Sequence, residues 1–271
     1  MIPNHLKAAW AEGRGTLNGW LSIGNSFTAE IMAAQGYDSL TVDLQHGFLD
    51  YSHMTVMLQA IRASGTVPMV RVPWNEPGII MKALDAGAYG IICPMVSTPG
   101  EAAALVDAIR YPPRGNRSFG PTRASFSAGA NYASEANDNV MCFAMIETAE
   151  AVSNLDAIAA TPGLDGLYIG PADLTLGVTN GRLAPGFDRQ EEEMIAVIRQ
   201  ILEAARKAGI RAALHCGSSE YAAKAIGWGF DMVTLLNDAR LLAAAAGESV
   251  SKARALVGSA DKAAPDAAGA Y

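Results

Sequence analysis

A single (β/α)8 TIM barrel is the fold this sequence predicts, and three observations carry the prediction. Short apolar runs alternate with amphipathic stretches from residue 16 to residue 257, the rhythm of parallel strands with helices outside. The length of 271 residues fits a fold that typically takes about 250. The apolar runs also end on polar or charged side chains, and in a parallel barrel the C-terminal strand ends converge on one mouth.

Taken in order, residues 8–14 read as an entry helix ending near Gly13, and 16–23 as the first strand, with Trp20 near its end. A helix over 26–35 is closed by Gly36, a common left-handed cap. The strand 39–44 runs into Asp43-Leu44-Gln45-His46-Gly47, and a helix follows over 51–63. Strand three, 67–72, carries Arg71 near its end; Asn75-Glu76-Pro77 then resembles a helix start, and Gly87 stops a helix over 79–86. Strand four spans 89–95 and helix four 99–110. Residues 111–139 break the rhythm, being rich in Gly, Pro, Ser and Asn, with Arg114, Arg117 and Arg123 spaced through them. They are expected to be either a solvated insertion or a functional or subunit-contact loop.

Regularity returns with an apolar strand that ends at Glu147, a helix over 150–160, and a strand that ends in a turn at Gly170-Pro171-Ala172-Asp173. Asp188 is expected to cap a long helix whose acidic first turn, 190–193, suits the positive end of its dipole. Met194, Val197, Ile198, Ile201 and Leu202 share one face of it, and Gly209 ends it. Strand seven spans 210–214 and leads to His215; strand eight spans 232–236, and a closing helix 241–257. The barrel domain is expected over 1–258 and a mobile tail over 259–271.

Composition narrows the function classes. A net charge of -7 opposes binding to nucleic acid or an anionic membrane, so a small anionic substrate needs local arginines. Cys93, Cys142 and Cys216 are odd in number and lack a C-x-x-C spacing, which suits small core residues in a reducing compartment. Neither a leader pattern nor a bilayer-length apolar run is read, and a soluble cytoplasmic protein is expected.

The polar residues at strand ends are Trp20, Asp43 with Gln45 and His46, Arg71, Glu147, Asp173 and His215. Singly, each has a bland reading as a cap, a core residue or a salt-bridge partner; barrel closure turns them toward one cavity. Glu147 and Asp173 form the candidate metal pair, and two carboxylates without a thiolate favour Mg²⁺ or Mn²⁺, with Co²⁺ also admissible. His46 is either a third ligand or, with Asp43 three residues before it, half of an acid–base pair. Arg71 offers a planar fork for a carboxylate or a developing enolate oxygen. The lysines, Lys7, Lys82, Lys207, Lys224, Lys252 and Lys262, all fall in predicted helices or tails, which disfavours imine chemistry and favours a metal-stabilised enolate.

The blocks Asn18-Gly19-Trp20, Val42-Asp43-Leu44-Gln45-His46-Gly47, Val70-Arg71-Val72-Pro73, Leu84-Asp85-Ala86-Gly87, Ile146-Glu147-Thr148 and Ile169-Gly170-Pro171-Ala172-Asp173-Leu174 resemble the HpcH/HpaI family of class II pyruvate aldolases. The resemblance implies that Glu147 and Asp173 hold a divalent metal chelated by the 2-oxoacid, and that N–H groups near Ala172 and Asp173 receive its carboxylate. It implies that Arg71 stabilises the enolate oxygen and that His46, oriented by Asp43, transfers protons. It further implies hexamers with exchanged C-terminal helices, in which Asp85 approaches a neighbouring subunit's site. Gln45 departs from the Glu that several members carry, and stays outside the catalytic set. Trp20 and His215 complete the expected substrate-binding residues.

The expected function is metal-dependent, reversible aldol addition and cleavage of 4-hydroxy-2-oxoacids, with pyruvate or hydroxypyruvate as donor and an aldehyde as acceptor. The alternatives are a lyase acting on citramalyl-CoA-like thioesters, which needs a basic surface for the coenzyme, and a non-catalytic 2-oxoacid-binding protein.

Overall fold

The computed structural model describes residues 1–256, so the expected tail over 259–271 and the domain end at 258 lie outside the described residues. The chain opens with α1 His5–Ala11, β1 Thr16–Leu21, α2 Ser26–Ala33, β2 Ser39–Asp43, α3 Tyr51–Ala63, β3 Val67–Arg71 and α4 Pro77–Asp85. It continues through β4 Gly90–Cys93, α5 Pro99–Ile109, α6 Thr122–Ala128, α7 Tyr132–Asn139, β5 Met141–Ile146, α8 Ala149–Ser153 and α9 Leu155–Ala159. The last part is β6 Gly166–Ile169, α10 Pro171–Thr179, α11 Glu192–Ala208, β7 Arg211–Cys216, α12 Ser219–Trp228, β8 Met232–Leu235 and α13 Asp238–Leu256.

The eight strands pair in parallel in sequence order, and β8 returns to β1, so the barrel is closed and has no sheet edge. Closure explains the unbroken apolar runs, because each strand is covered by helices outside and by its neighbours' side chains within. All of β5, for example, is buried. At the N-terminal end α1 is the plug: the Trp10 indole N–H donates to Thr16 Oγ1 at 3.0 Å and the ring packs edge-on against Phe143. Within the barrel a polar layer satisfies itself. Asn18 Nδ2 donates to Thr234 Oγ1 at 2.9 Å, while Ser39 and Thr41 hydroxyls donate to Asn18 Oδ1 at 2.9 and 3.1 Å.

Four local expectations are corrected. The 111–139 segment is packed rather than solvated, and carries α6 and α7 with Ala124, Ala128, Tyr132 and Ala136 buried. Two of its arginines are turned onto the protein, while Arg114 pairs with Asp138 at the surface: Arg117 donates to Asp85 Oδ1 at 2.6 Å and to the Tyr132 hydroxyl at 3.0 Å, and Arg123 donates to the Ala86 carbonyl. The helix expected over 150–160 is split into α8 and α9 at Asn154, whose amide donates to the Ser97 carbonyl at 2.9 Å. The turn after Gly170 opens α10, with Pro171 at a first position where its missing N–H costs nothing. Asp188 does not cap α11. It has a left-handed φ of 49°, and its carboxylate accepts from Gly217 N at 2.7 Å and Ser218 Oγ at 2.6 Å, tying the loop after β7.

The amphipathic face of α11 is confirmed, with Met194, Ile198, Ile201 and Leu202 buried, each contributing on the order of 1.5–3 kcal/mol. Among the described residues no helix is long and apolar enough to cross a membrane.

Candidate active site

The C-terminal strand ends surround a cavity of 440 Å³. It is lined by Trp20, Asp43, His46, Arg71, Glu147, Ala172, Asp173 and His215, so nearly all the residues expected at strand ends share one space. Gln45 and Asp85 do not line it. Gln45 Oε1 is buried without a hydrogen-bond partner, and Asp85, closing α4, is held by Arg117.

Glu147 is only 3% exposed, one residue beyond β5. Its Oε2 accepts the Met95 N–H at 3.0 Å, and Met95 has an uncommon positive φ of 57°, which turns that N–H toward the acid. Gly170 leaves space on the other side, since a Cβ there would collide with Glu147 Oε1. Burial pushes the Glu147 carboxyl up to about 7; the neighbouring Asp173 charge adds to this, and the Met95 N–H and Arg71 oppose it. Asp173 sits in the first turn of α10, where the leading N–H groups have no intrahelical partner.

Two oxygen acids facing one cavity, the charge of Asp173 raising the cost of ionising Glu147 and a glycine cradling Glu147, fit a hard divalent cation. Among the described residues no three His, Cys, Asp or Glu are gathered for a metal, so His46 does not join the pair as a third ligand. Two protein carboxylates with the rest of the shell left to water and substrate is the habit of Mg²⁺ or Mn²⁺.

Asp43 is 1% exposed and serves five donors. Arg71 donates Nε to its Oδ1 at 2.8 Å and Nη2 to its Oδ2 at 2.6 Å. The Trp20 indole N–H adds a bond to Oδ2 at 3.1 Å, and the Gln45 and His46 backbone N–H groups donate to Oδ1 at 3.1 and 3.3 Å. Burial favours the neutral acid, but the Arg71 hydrogen bonds and charge outweigh it and hold the carboxyl below its ordinary value. The pairing follows from register, because Asp43 and Arg71 are direct partners across β2 and β3. The expected Asp43–His46 acid–base pair is thereby corrected: Asp43 reaches His46 through its backbone, while the imidazole is exposed at the mouth.

His215 is an aromatic wall rather than a proton carrier. Its ring stacks on Phe187 at 4.9 Å and meets the Trp20 edge at 4.9 Å, and Nδ1 lies 3.2 Å from the Tyr168 hydroxyl. Burial first, then the Arg71 charge, lowers its pKa to about 3, which keeps it neutral near neutral pH. Tyr168 itself donates to Thr234 Oγ1 at 2.7 Å, so this wall is tied to the polar layer beneath.

Sequence reasoning missed Ser22, Phe187, Asn237 and Arg240 on the cavity wall, and Met95 behind Glu147. Phe187 lies between α10 and α11 and Arg240 inside α13, places where a search of strand ends does not look.

The family model for HpcH/HpaI aldolase/citrate lyase matches residues 18–245. A hydroxypyruvate/pyruvate aldolase of Rhizorhabdus wittichii is 44% identical over 253 residues, covering 93% of this chain and 100% of that protein. A 4-hydroxy-2-oxovalerate aldolase of Novosphingobium aromaticivorans is 41% identical, over 76% of this chain and 79% of that one. Among solved structures, an HpcH/HpaI aldolase/citrate lyase family protein from Burkholderia cenocepacia J2315 superposes with a TM-score of 0.85 at 32% identity, covering 93% of this chain and 99% of that chain.

Proposed function

The chain belongs to the HpcH/HpaI aldolase/citrate lyase family and is a carbon–carbon lyase, and from that premise we propose reversible aldol addition and retro-aldol cleavage of 4-hydroxy-2-oxoacids, with pyruvate or hydroxypyruvate as donor and an aldehyde as acceptor. The observation that carries the reading is the convergence of the Glu147–Asp173 pair and the Asp43-held Arg71 in one cavity.

Glu147 and Asp173 would hold the divalent cation, Mg²⁺ or Mn²⁺. When bound, it supplies Lewis acidity toward a 2-oxoacid, worth several kcal/mol of charge stabilisation. The free N–H groups of Ala172 and Asp173 would receive the oxoacid carboxylate at the α10 N-terminus. Asp43 occupies Nε and Nη2 of Arg71, which leaves Nη1 to donate to the C2 oxygen as negative charge grows there. His46, at the mouth, would accept the C3 proton directly or through a water. C3 then bonds to the aldehyde carbon, and the proton taken from C3 satisfies the new C4 alkoxide, so His46 ends the turnover as it began. Among the described residues no lysine lines the cavity, which supports an enolate over an imine.

The thioester-lyase alternative loses its basic surface. Arg114 is paired with Asp138 at 2.6 Å, and Arg117 and Arg123 are spent as described above. The silent binder remains distinct because it predicts saturable pyruvate binding without chemistry. We also propose the hexamer with exchanged C-terminal helices: beyond its first turn α13 is exposed, with Leu242, Val250 and Leu256 at 63%, 48% and 88%, apolar surface that a second copy would cover.

The test is release of pyruvate from 4-hydroxy-2-oxovalerate, coupled to lactate dehydrogenase, and of hydroxypyruvate from a hydroxypyruvate-derived adduct, coupled to glyoxylate reductase. Release with Mn²⁺ or Mg²⁺, loss with a chelator and recovery on readdition is expected. Metal-loaded protein that cleaves neither compound contradicts the proposal.

A further inference from the structure

Both acids of the pair are anchored by one helix. Asp173 stands in the first turn of α10, whose N-cap is Gly170 and whose interior holds Gly177. Gly177 lets the helix close onto the neighbouring strand end, since a Cβ there would lie 2.9 Å from the Glu147 carbonyl oxygen and 3.1 Å from Thr148 Cα. Glu147 Oε1 lies against Gly170, and Oε2 accepts the Met95 N–H. The hold on Oε2 alone comes from outside α10, from the loop after β4.

That loop is fixed at a backbone angle it would not adopt freely. A non-glycine residue at a φ of 57°, as at Met95, persists only where its surroundings over-determine it. The surroundings are Ser97, Thr148 and Asn154. Ala151 N donates to Thr148 Oγ1 at 2.9 Å, the Thr148 and Ser97 hydroxyl oxygens lie 2.8 Å apart, and Ser97 Oγ donates to the Met95 carbonyl at 3.4 Å. With Thr148 Oγ1 accepting from Ala151, its own hydrogen is left for Ser97, and the donors run from Thr148 through Ser97 to Met95.

The Ser97 main chain is held as well. Glu101 Oε2 accepts its N–H at 2.7 Å, and Asn154 Nδ2 donates to its carbonyl at 2.9 Å. The break between α8 and α9 thus has a use, because it frees the Asn154 side chain to reach across to this loop. Ser97 is 8% exposed, so these bonds are shielded from solvent.

We propose that Ser97, held by Thr148 and Asn154, is a positioning residue for Glu147: by keeping Oε2 on the Met95 N–H it makes Glu147 a one-oxygen ligand and favours Mg²⁺ over Ca²⁺. The inference rests on Glu147 as a metal ligand and adds to that reading a basis for choosing the cation. Mg²⁺ demands near-octahedral order and keeps several waters, whereas Ca²⁺ takes more oxygens in flexible geometry, two from one carboxylate among them. A carboxylate tied to the backbone through one oxygen turns both toward an ion only by giving up that bond. Two acids fixed on one helix and one strand end are therefore a poor offer to Ca²⁺ and a sufficient one to Mg²⁺.

The experiment measures dissociation constants on the chelator-treated full chain, by calorimetry for Mn²⁺ and by displacement of Mn²⁺ for Mg²⁺ and Ca²⁺. The proteins are the wild type, Ser97→Ala, Thr148→Val, Thr148→Ser and Glu147→Gln. Mg²⁺ binding should weaken about 10-fold in Ser97→Ala and in Thr148→Val, and Ca²⁺ binding much less, so that the preference for Mg²⁺ falls. Ser97→Ala spares the Thr148 cap on α8, so agreement between the two variants assigns the effect to the hydroxyl pair; should Ser97→Ala fail to fold, Thr148→Val carries the same test. Thr148→Ser retains both hydrogen bonds and should retain the wild-type preference. Mg²⁺ and Ca²⁺ weakening by the same factor would mark a merely structural loop and overturn the assignment, as would unchanged affinities in both hydroxyl-deleted variants. Glu147→Gln separates the two levels: Mn²⁺ binding lost there but kept in Ser97→Ala sinks the Ser97 role alone, and wild-type Mn²⁺ binding in Glu147→Gln sinks the metal reading with it.

Discussion

Replacing Asp43 by Asn removes one negative charge from a site where, among the described residues, the buried Arg71 guanidinium is salt-bridged to Asp43 alone. The structure sets the magnitude. Asp43 and Arg71 are both nearly inaccessible, at 1% and 9%, and share a two-pronged pair at 2.8 and 2.6 Å. Removing one partner of a buried pair costs about 3–5 kcal/mol. Asn keeps one acceptor oxygen, which places the expected loss near the lower end, about 3 kcal/mol, or roughly 6–12 °C in Tm for a domain of this size. Turnover should fall with it, because Arg71 loses the orientation that aims Nη1 into the cavity. Thermal melts and pyruvate exchange rates on Asp43→Asn, Arg71→Met and the double variant complete a cycle. The double variant should cost little more than either single, since it removes the pair together. Strictly additive losses, or an unchanged Tm with only a shifted pH profile, would refute the reasoning and return Asp43 to the His46 imidazole. The sign with pH also follows: a carboxyl held below its ordinary 3.8 contributes stability that is present above that value and lost as pH falls through the lower folded value. That acid-side component should be missing in Asp43→Asn.

Two further outcomes follow from the site. His46→Ala should lower kcat by about 10²- to 10⁴-fold while leaving Mn²⁺ affinity, read by calorimetry, unchanged; near-normal turnover would remove His46 as the proton carrier. Gly170→Ala should weaken Mn²⁺ binding by roughly 10- to 100-fold, because the added Cβ occupies the place of Glu147 Oε1. Wild-type Mn²⁺ affinity in Gly170→Ala would show that Glu147 is not a ligand in this position.

The barrel was legible because parallel strands buried on both faces leave apolar runs, and because their polar ends mark the mouth. Trp20, Asp43, Arg71, Glu147, Asp173 and His215 were all found that way. What escaped depends on neighbours the sequence does not display. The Asp43–Arg71 pairing needs the β2–β3 register, and without it the nearer His46 looks like the partner of Asp43. The helices α6 and α7 are poor in large apolar residues, and their buried positions are mostly alanines packed against α4 and its surroundings, so no strong periodic signal announces them. Asp188 has the right residue type for a cap, but its positive φ sends it to Gly217 and Ser218 instead. Arg240 reaches the mouth from a helix, through the Asp238 tether to the loop after β1.

The central claim is that this cavity makes an enolate from a 2-oxoacid, and proton NMR of pyruvate in D₂O measures that without knowledge of the aldehyde. With Mg²⁺ or Mn²⁺ present, the methyl signal should decay in proportion to protein, and the decay should stop with a chelator and in Glu147→Gln. A methyl signal that persists for pyruvate, together with unexchanged C3 protons in hydroxypyruvate, while calorimetry confirms that the metal is bound, would contradict the account.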